Sequence, residues 1–223
     1  MARRAACAFA CAAGLAVALL AGCHAARVIA PPPPLRAASA SDFAVDVEFA
    51  EPLDRASAEN PSHYRVSPLG DPGATVAIYS ATLVDTTFGR VVQLLLSGGP
   101  LPDTSEFEVK TSGVLALDGH SSGERRVTFR TGLSYRFPLR ELFASHCDRC
   151  HGAARSEGSY RTDGYAALKG GGTDPTPNLV AGDPNCLLLR RSRPLKSMFD
   201  LGGMSYLDFE VLLNWVASYG ARP

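Results

Sequence analysis

Hydrophobic and polar positions alternate along much of residues 42–132, with the period of two that is typical of β-strands. The clearest case is residues 43–49, where Phe43, Val45, Val47 and Phe49 are separated by smaller or charged residues. Further strand-like runs cover residues 75–84, 91–96, 106–110 and 126–130, and Asp-Pro-Gly, Gly-Gly-Pro and Asp-Gly sequences interrupt them. Short strands at this spacing predict a β-sandwich whose strands have one buried and one solvated face.

Apolar residues recur with a helical period only after residue 132. Leu139, Leu142 and Phe143 follow Pro138, which suits a first helical turn, and this helix leads directly into Cys147. A second helix is predicted after Ser205, which can cap it with an acidic residue three positions on. Its apolar stripe consists of Leu207, Val211, Leu212 and Trp215. The stretch 152–184 between the two helices is rich in Gly and Pro and predicts a long loop.

The first residues have the pattern of an export signal. Arg3 and Arg4 precede an apolar, alanine-rich run that is too short for a stable membrane span. The run ends in Leu-Ala-Gly-Cys23, which resembles a bacterial lipoprotein box. We therefore expect a signal peptide over 1–22 and lipidation of Cys23, with an ordinary signal-peptidase site as the alternative. His24 resembles the pattern of lipoproteins that are sorted to an outer membrane.

Residues 23–41 are expected to form a spacer after the lipidated cysteine. The segment is rich in Ala, Ser and Pro and contains four consecutive prolines, Pro31 to Pro34. Such a run favours extended polyproline II structure. The spacer would hold the folded part of the chain away from the lipid surface.

Charge and length exclude some function classes. The 223 residues carry 22 basic and 22 acidic side chains, and removal of residues 1–22 takes away Arg3 and Arg4, which leaves 20 basic against 22 acidic. This balance argues against a nucleic acid as the partner. The remaining 201 residues (223 minus 22) suit two small domains, which we place at 42–132 and 133–223.

The strongest chemical signal is Cys147-Asp-Arg-Cys150-His151. Two thiols at this spacing can each form a thioether with a haem vinyl group, and the adjacent imidazole can bind the iron. A redox dithiol and half of a zinc site are the alternatives, but no second Cys-x-x-Cys follows. Cys186 stands alone and is expected to be buried. We expect one covalently attached haem c per chain, with His151 as the proximal iron ligand.

Residues 42–132 resemble bacterial Ig-like domains of the surface-layer type. The resemblance rests on Val-Glu-Phe-Ala-Glu-Pro-Leu at 47–53, on residues 60–64, 91–101 and 107–119, and on Val-Thr-Phe-Arg-Thr-Gly at 127–132. It covers about 90 residues and implies an all-β Ig-like sandwich. No group of residues in this part predicts catalysis.

Residues 133–223 resemble class I and planctomycete-type cytochrome c domains. The resemblance rests on a helix that delivers Cys-x-x-Cys-His, on Tyr-Ala-Ala-Leu-Lys-Gly-Gly at 165–171, and on Val-Ala-Gly-Asp-Pro-Asn-Cys-Leu-Leu at 180–188. Cys186 stands where that family usually has Ser. The resemblance implies a mainly α cytochrome c domain, so the whole chain is expected to be a two-domain, Ig-like and cytochrome c protein.

The sixth iron ligand is sought among the methionines, since a thioether ligand raises the reduction potential of a haem. Apart from Met1, the chain contains only Met198 and Met204. In the family that residues 133–223 resemble, the ligand lies several residues before the cap of the last helix. This favours Met198, with Met204 as the alternative. His146 adjoins a haem cysteine and is not expected to bind the iron.

The expected function is that of a membrane-anchored c-type cytochrome, a non-enzymatic carrier of single electrons in the bacterial cell envelope. Its lipid anchor would place it on the outer membrane, facing the periplasm or the cell surface. Four basic residues at 190–196, just before Met198, would pair with the haem propionates or attract an acidic redox partner. The alternatives are a haem-containing catalytic (peroxidase-like) or sensory module, or a cell-surface binding protein that uses its Ig-like domain for recognition.

Overall fold

Residues between 34 and 130 form two antiparallel β-sheets that are packed face to face. The computed structural model describes residues 34–121 and 124–223. In the larger sheet the strand order is β1-β2-β5-β4, and in the smaller it is β3-β6-β7. The strands are β1 (Pro34–Ser41), β2 (Ala44–Phe49), β3 (Tyr64–Pro68), β4 (Ala77–Leu83), β5 (Val91–Ser97), β6 (Glu106–Thr111) and β7 (Arg125–Arg130), and the short helix α1 (Arg55–Ala58) follows β2.

The strands predicted from the alternating pattern are present, and their inward side chains form the core between the sheets. Val45, Val47, Val66 and Val92 are fully buried there. The rings of Phe107 and Phe129, on neighbouring strands of the smaller sheet, stack with their centroids 5.8 Å apart. A two-sheet sandwich is therefore the architecture of this half, as the sequence predicted.

Residues 34–41, which were expected to belong to the extended spacer, form an edge strand instead. β1 pairs antiparallel with β2 in a tight hairpin, and it also contacts β7 and the last helix. Its small residues Ser39 and Ala40 are buried. Ala and Ser favour strands only weakly, so the pairing comes from tertiary packing, which the local composition does not reveal.

The polar face of β2 was expected to be solvated and is buried. Asp46 is 1 % exposed and Glu48 is 7 % exposed. The last helix lies against this face, where Asn214 donates a hydrogen bond to the Asp46 carboxylate over 3.4 Å. An alternating pattern shows that a strand has two chemically different faces, but it does not show what covers the polar one.

Residues 133–223 contain short helices around a second apolar cluster. They are α2 (Leu139–His146), α3 (Asp148–His151), α4 (Tyr165–Lys169), α5 (Leu187–Ser192), α6 (Ser197–Gly202) and α7 (Tyr206–Ala217). The two helices predicted from the sequence, α2 and α7, are confirmed, and Ser205 and Asp208 form the expected capping box of α7. Trp215 on α7 is fully buried against Tyr135, Phe143 and Tyr165, and its indole donates a 2.9 Å hydrogen bond to the Arg222 carbonyl.

The expected fold class is wrong in its second half. The described chain is a β-sandwich of two antiparallel sheets accompanied by small helices of 4 to 12 residues, and a separate, mainly α cytochrome c domain is not shown. Helix α7 packs on β1 and β2 of the sandwich, so the helical region shares an interface with the sheet. The stretch 152–184, which was predicted to be a long loop, contains the short helix α4. The polar side chains of β2 provide the surface on which α7 lies.

The predicted signal peptide over 1–22, the lipidation of Cys23 and the first part of the spacer lie outside the described residues. Within 34–121 and 124–223, no helix is long and apolar enough to cross a membrane. The predicted boundaries of the units remain predictions.

Candidate functional site

Cys147 joins α2 to the short helix α3, which contains Cys150 and His151. The Cys147 amide closes the end of α2 by donating to the Phe143 carbonyl over 2.8 Å, and α3 begins at the next residue. Cys147 and Cys150 are half-buried free thiols. Together with His151 they line one cleft, so the structure brings together the three residues that the spacing predicts as a unit.

Thr162 holds this segment in place from the following loop. Its amide donates to the His151 carbonyl over 2.7 Å, and its hydroxyl donates to the Asp148 carboxylate over 2.7 Å. Thr162 is 1 % exposed, and Arg140 pairs with the same carboxylate. No sequence pattern singled out Thr162, because its role depends on a contact across 11 residues.

Gly152 is required at the end of α3. A Cβ atom at this position would lie 2.5 Å from the Asp148 carbonyl oxygen, closer than real Cβ contacts come. Since that oxygen belongs to the backbone, the chain would have to shift to accept any other residue. The glycine after His151 therefore lets the chain fold back tightly under the cysteine segment.

The His151 imidazole is oriented by a backbone carbonyl. Its Nδ1 lies 3.1 Å from the Glu157 carbonyl oxygen, which can only accept, so Nδ1 carries the hydrogen and donates it. This leaves the Nε2 lone pair of a neutral imidazole available as a metal ligand. The Tyr160 ring packs edge-on against the imidazole, with the centroids 5.8 Å apart.

The cleft is partly open to solvent and has a cavity volume of about 130 Å³. Cys147, Cys150 and His151 contribute to one part of its lining, and buried Leu187 and Leu188 contribute an apolar part. The polar residues along it include Thr173, Asp174, Asn178 and Arg191.

Both candidate methionines reach this cleft. Met198 lies in α6 and is half-buried, whereas Met204 follows the left-handed Gly203 and is 7 % exposed. The Met204 amide donates to the Phe199 carbonyl over 3.1 Å, which closes the end of α6. The choice between the two thioethers stays a prediction, with Met198 favoured.

The Cys147 thiol does not have the electrostatics of a redox-active thiol. Burial raises the pKa of Cys147 to about 12, and the charges of Asp148 and Cys150 act in the same direction. A thioredoxin-type thiol needs a lowered pKa to attack a disulfide. The environment of Cys147 therefore disfavours the dithiol alternative.

The sequence predicted a metal-binding cytochrome, but the structure does not show a metal site. Among the residues that the structure describes, no group of three or more His, Cys, Asp or Glu side chains could by itself hold a metal ion. Of the expected description, the Ig-like part is what the fold supports.

The four basic residues before Met198 do not act as one cluster. Arg191 lines the cleft and donates to the Asp174 carboxylate over 3.1 Å. Arg193 is tied internally to the Pro184 carbonyl and to the Asn185 side chain. Arg190 and Lys196 are exposed, and neither forms an ion pair with any described residue.

No family model matches the chain, and no curated protein matches it. Solved structures with some likeness include surface layer protein SbsC, domains 1–6, at 20% identity and a TM-score of 0.42, over 46% of this chain and 14% of that one. The N-terminal part of the bacterial S-layer protein SbsC is 19% identical with a TM-score of 0.42, over 47% and 24% of the two chains.

The copper resistance protein PcoC from Escherichia coli is 17% identical with a TM-score of 0.32, over 45% of this chain and all of that one. The SbsC structures are those of a bacterial surface-layer protein. This chain spans only about a seventh of the SbsC structure first named. These values are too low to assign a family or an activity.

Proposed function

We propose that the protein carries one covalently attached haem in this cleft and passes single electrons in the cell envelope. The observation that carries the proposal is the lining of one cleft by both thiols, the His151 imidazole and both methionine thioethers. These groups come from α2–α3 and from α6 and the turn after it, up to 57 residues apart along the chain. Of these residues, only Cys147, Cys150 and His151 lie close together in the sequence.

The residues of the cleft fit a haem by their chemistry. Cys147 and Cys150 would hold the macrocycle through thioethers, and His151 offers a neutral nitrogen whose orientation is fixed by the Glu157 carbonyl. A haem iron takes most of its ligands from the porphyrin, so it needs only axial ligands from the protein and no cluster of acidic residues or histidines. When bound, the group supplies an iron that alternates between two oxidation states.

Two available methionines favour electron transfer over catalysis at an open iron position. A thioether from Met198 or Met204 would bind the iron and raise its reduction potential. A peroxidase-like or sensory site needs an iron position that is free for a substrate. Buried Leu187 and Leu188 would provide an apolar part of the wall around the group.

The N-terminal signal and Cys23 support a lipid anchor. Covalent haem attachment and lipidation both follow export from the cytoplasm, so the two proposals point to the same compartment. Replacement of Cys23 by Ser should move the protein from the detergent phase to the aqueous phase on detergent partitioning. Continued recovery in the detergent phase would contradict the anchor.

The proposal is tested by replacing the cysteines one at a time. Cys147→Ala and Cys150→Ala should each lose normal two-thioether attachment, which is measured by the haem retained on the polypeptide after denaturation and by the reduced spectrum. Cys186→Ala is the matched control, because this buried cysteine has no role in the attachment. Full haem retention with an unchanged spectrum in either of the first two variants would overturn the proposal.

A further inference from the structure

Arg36 of the sandwich contacts the beginning of α7. Its Nη1 donates to the Asp208 carboxylate over 2.7 Å, and its Nε and Nη2 both donate to one oxygen of Glu48, over 3.2 and 2.9 Å. Nη2 also lies close to the Ser205 hydroxyl. A single guanidinium on the edge strand β1 therefore connects a neighbouring strand with the cap of the last helix.

Asp208 is the next member of this network. It is 7 % exposed, and its second oxygen accepts a 2.8 Å hydrogen bond from the Ser205 amide. Burial would raise the pKa of Asp208, but the hydrogen bonds from Arg36 and the Ser205 amide bring it below its ordinary value. Without Arg36, the interface would contain a buried carboxylate that lacks its charged partner.

His146 connects Asp208 with the cleft. Its Nε2 lies 3.5 Å from the Asp208 carboxylate, and its Nδ1 donates to the Gly202 carbonyl over 3.0 Å. Gly202 packs so closely on His146 that an added Cβ would lie 3.0 Å from the His146 carbonyl oxygen. His146 directly precedes Cys147, and Gly202 lies two residues before Met204, so this contact joins two parts of the cleft lining.

We infer that Arg36 is a positioning residue for the cleft. Through Asp208 and His146 it fixes the Gly202–Met204 segment relative to Cys147, although Arg36 itself does not line the cleft. The sandwich then contributes a fixed support for one wall of the site. The effect on the iron rests on the proposed function, whereas the effect on the backbone of residues 202–205 does not.

The test compares three variants in the full chain. Arg36→Met largely keeps the length of the side chain but removes its charge and its hydrogen-bond donors. Arg36→Lys keeps the charge but loses the planar guanidinium that binds two carboxylates at once. Glu48→Gln removes one of these carboxylates and leaves Arg36 unchanged. Arg126→Met is the matched control, since Arg126 also pairs with two carboxylates, Glu108 and Glu124, but in the smaller sheet and without a contact to α7.

The first readout needs no haem. Hydrogen–deuterium exchange at the Met204 and Ser205 amides should be about tenfold faster or more in Arg36→Met, less so in Arg36→Lys and Glu48→Gln, and unchanged in Arg126→Met. Exchange along β5 should stay as in the unmodified chain. Equal acceleration at β5 and at residues 204–205, or none at residues 204–205, would overturn the positioning role.

The second readout uses the haem-loaded protein. Arg36→Met should weaken the far-red absorption band of an iron–methionine bond and lower the reduction potential, with partial recovery in Arg36→Lys. An unchanged band and potential in Arg36→Met would overturn the role of Arg36 at the cleft. If the unmodified chain attaches no haem, the proposed function fails, while the exchange measurement still decides whether Arg36 positions the segment.

Discussion

At the scale of single residues, the cleft depends on side chains whose orientation is set by their backbone neighbours. The Glu157 carbonyl orients His151, the Gly202 carbonyl binds His146, and Thr162 holds the Asp148–His151 turn. Each of these contacts fixes a group that points toward the cleft or adjoins it. Such neighbours decide how well a site is preorganised.

The distal ligand is tested with substitutions that keep the volume of the side chain. Met198→Leu should abolish the far-red iron–methionine band and lower the reduction potential, whereas Met204→Leu should leave both nearly unchanged, because Met198 is the favoured ligand. Leucine is used because Met204 is buried and truncation to alanine would leave a cavity. The opposite pattern would make Met204 the ligand, and loss of the band in neither variant would exclude both.

Some residues of the site could be predicted from the sequence, and others could not. Cys147, Cys150 and His151 lie within five positions, and their spacing itself carries the chemistry. Thr162 and Arg36 act across 11 to 172 residues, through contacts that no local pattern encodes. Arg36 was also hidden inside a segment whose composition predicted a spacer.

At the scale of secondary-structure elements, the contact between β2 and α7 is the least expected feature. It buries the Asp46 carboxylate, which accepts hydrogen bonds from Gln93 and Asn214. Burial, together with the charge of Glu210 on α7, raises the pKa of Asp46 to about 7. Burial and the charge of Asp85 also raise the pKa of Glu210. The interface therefore contains two carboxyl groups whose pKa values are raised above the ordinary ones.

This arrangement predicts that stability falls as the pH rises from about 4 to about 7. The folded chain holds the Asp46 proton at a higher pH than the unfolded chain does, so the folded state binds more protons in this window and the free energy of unfolding decreases with pH. Asp46→Asn should flatten the decrease and raise the free energy of unfolding at pH 8 by roughly 1–3 kcal/mol. Denaturant titrations at several pH values measure the free energy of unfolding of the unmodified chain and of the variant.

The control for this prediction is Asp71→Asn in an exposed turn, which should retain the pH dependence of the unmodified chain. Glu210→Gln should flatten the dependence in the same direction as Asp46→Asn. A pH profile that is identical in the unmodified chain and in Asp46→Asn would show that Asp46 does not titrate in this window.

The strands and the two longer helices could be predicted because their apolar periods are local. The packing of α7 on β2 could not, since Asp46 and Glu48 have the composition of a solvated face. The same contact was not considered in the expected fold class, which is wrong in its mainly α second half. The sequence pattern shows which face of a strand or helix is apolar and which is polar. Which faces pack against each other depends on the whole fold.

At the scale of the whole molecule, two exposed basic residues lie close in sequence to residues that line the cleft. Arg190 lies in α5, Lys196 directly precedes α6, the helix that carries Met198, and both residues are exposed. We propose that they attract an acidic redox partner. Arg191 is excluded from this role because it lines the cleft and pairs with Asp174.

The docking proposal is tested with small charged oxidants. Arg190→Glu combined with Lys196→Glu should slow oxidation by the anionic hexacyanoferrate(III) at low salt and speed up oxidation by a cationic cobalt complex. Both effects should diminish as screening shortens to about 10 Å near 0.1 M salt. The same charge change at Arg65 and Arg90, exposed on the sandwich, should have a smaller effect. Equal effects of the two pairs would assign the steering to net charge alone.

The central claim is that Cys147 and Cys150 hold a haem covalently. The most direct measurement is the intact mass of the mature protein, produced in a host that attaches haem to exported proteins. We predict a mass increase of one haem, located by fragmentation on the peptide that contains Cys147 and Cys150 and absent when both are replaced by Ala. A mature chain that has the mass of the unmodified polypeptide, in a host that loads a control protein with the same cysteine spacing, would contradict the account.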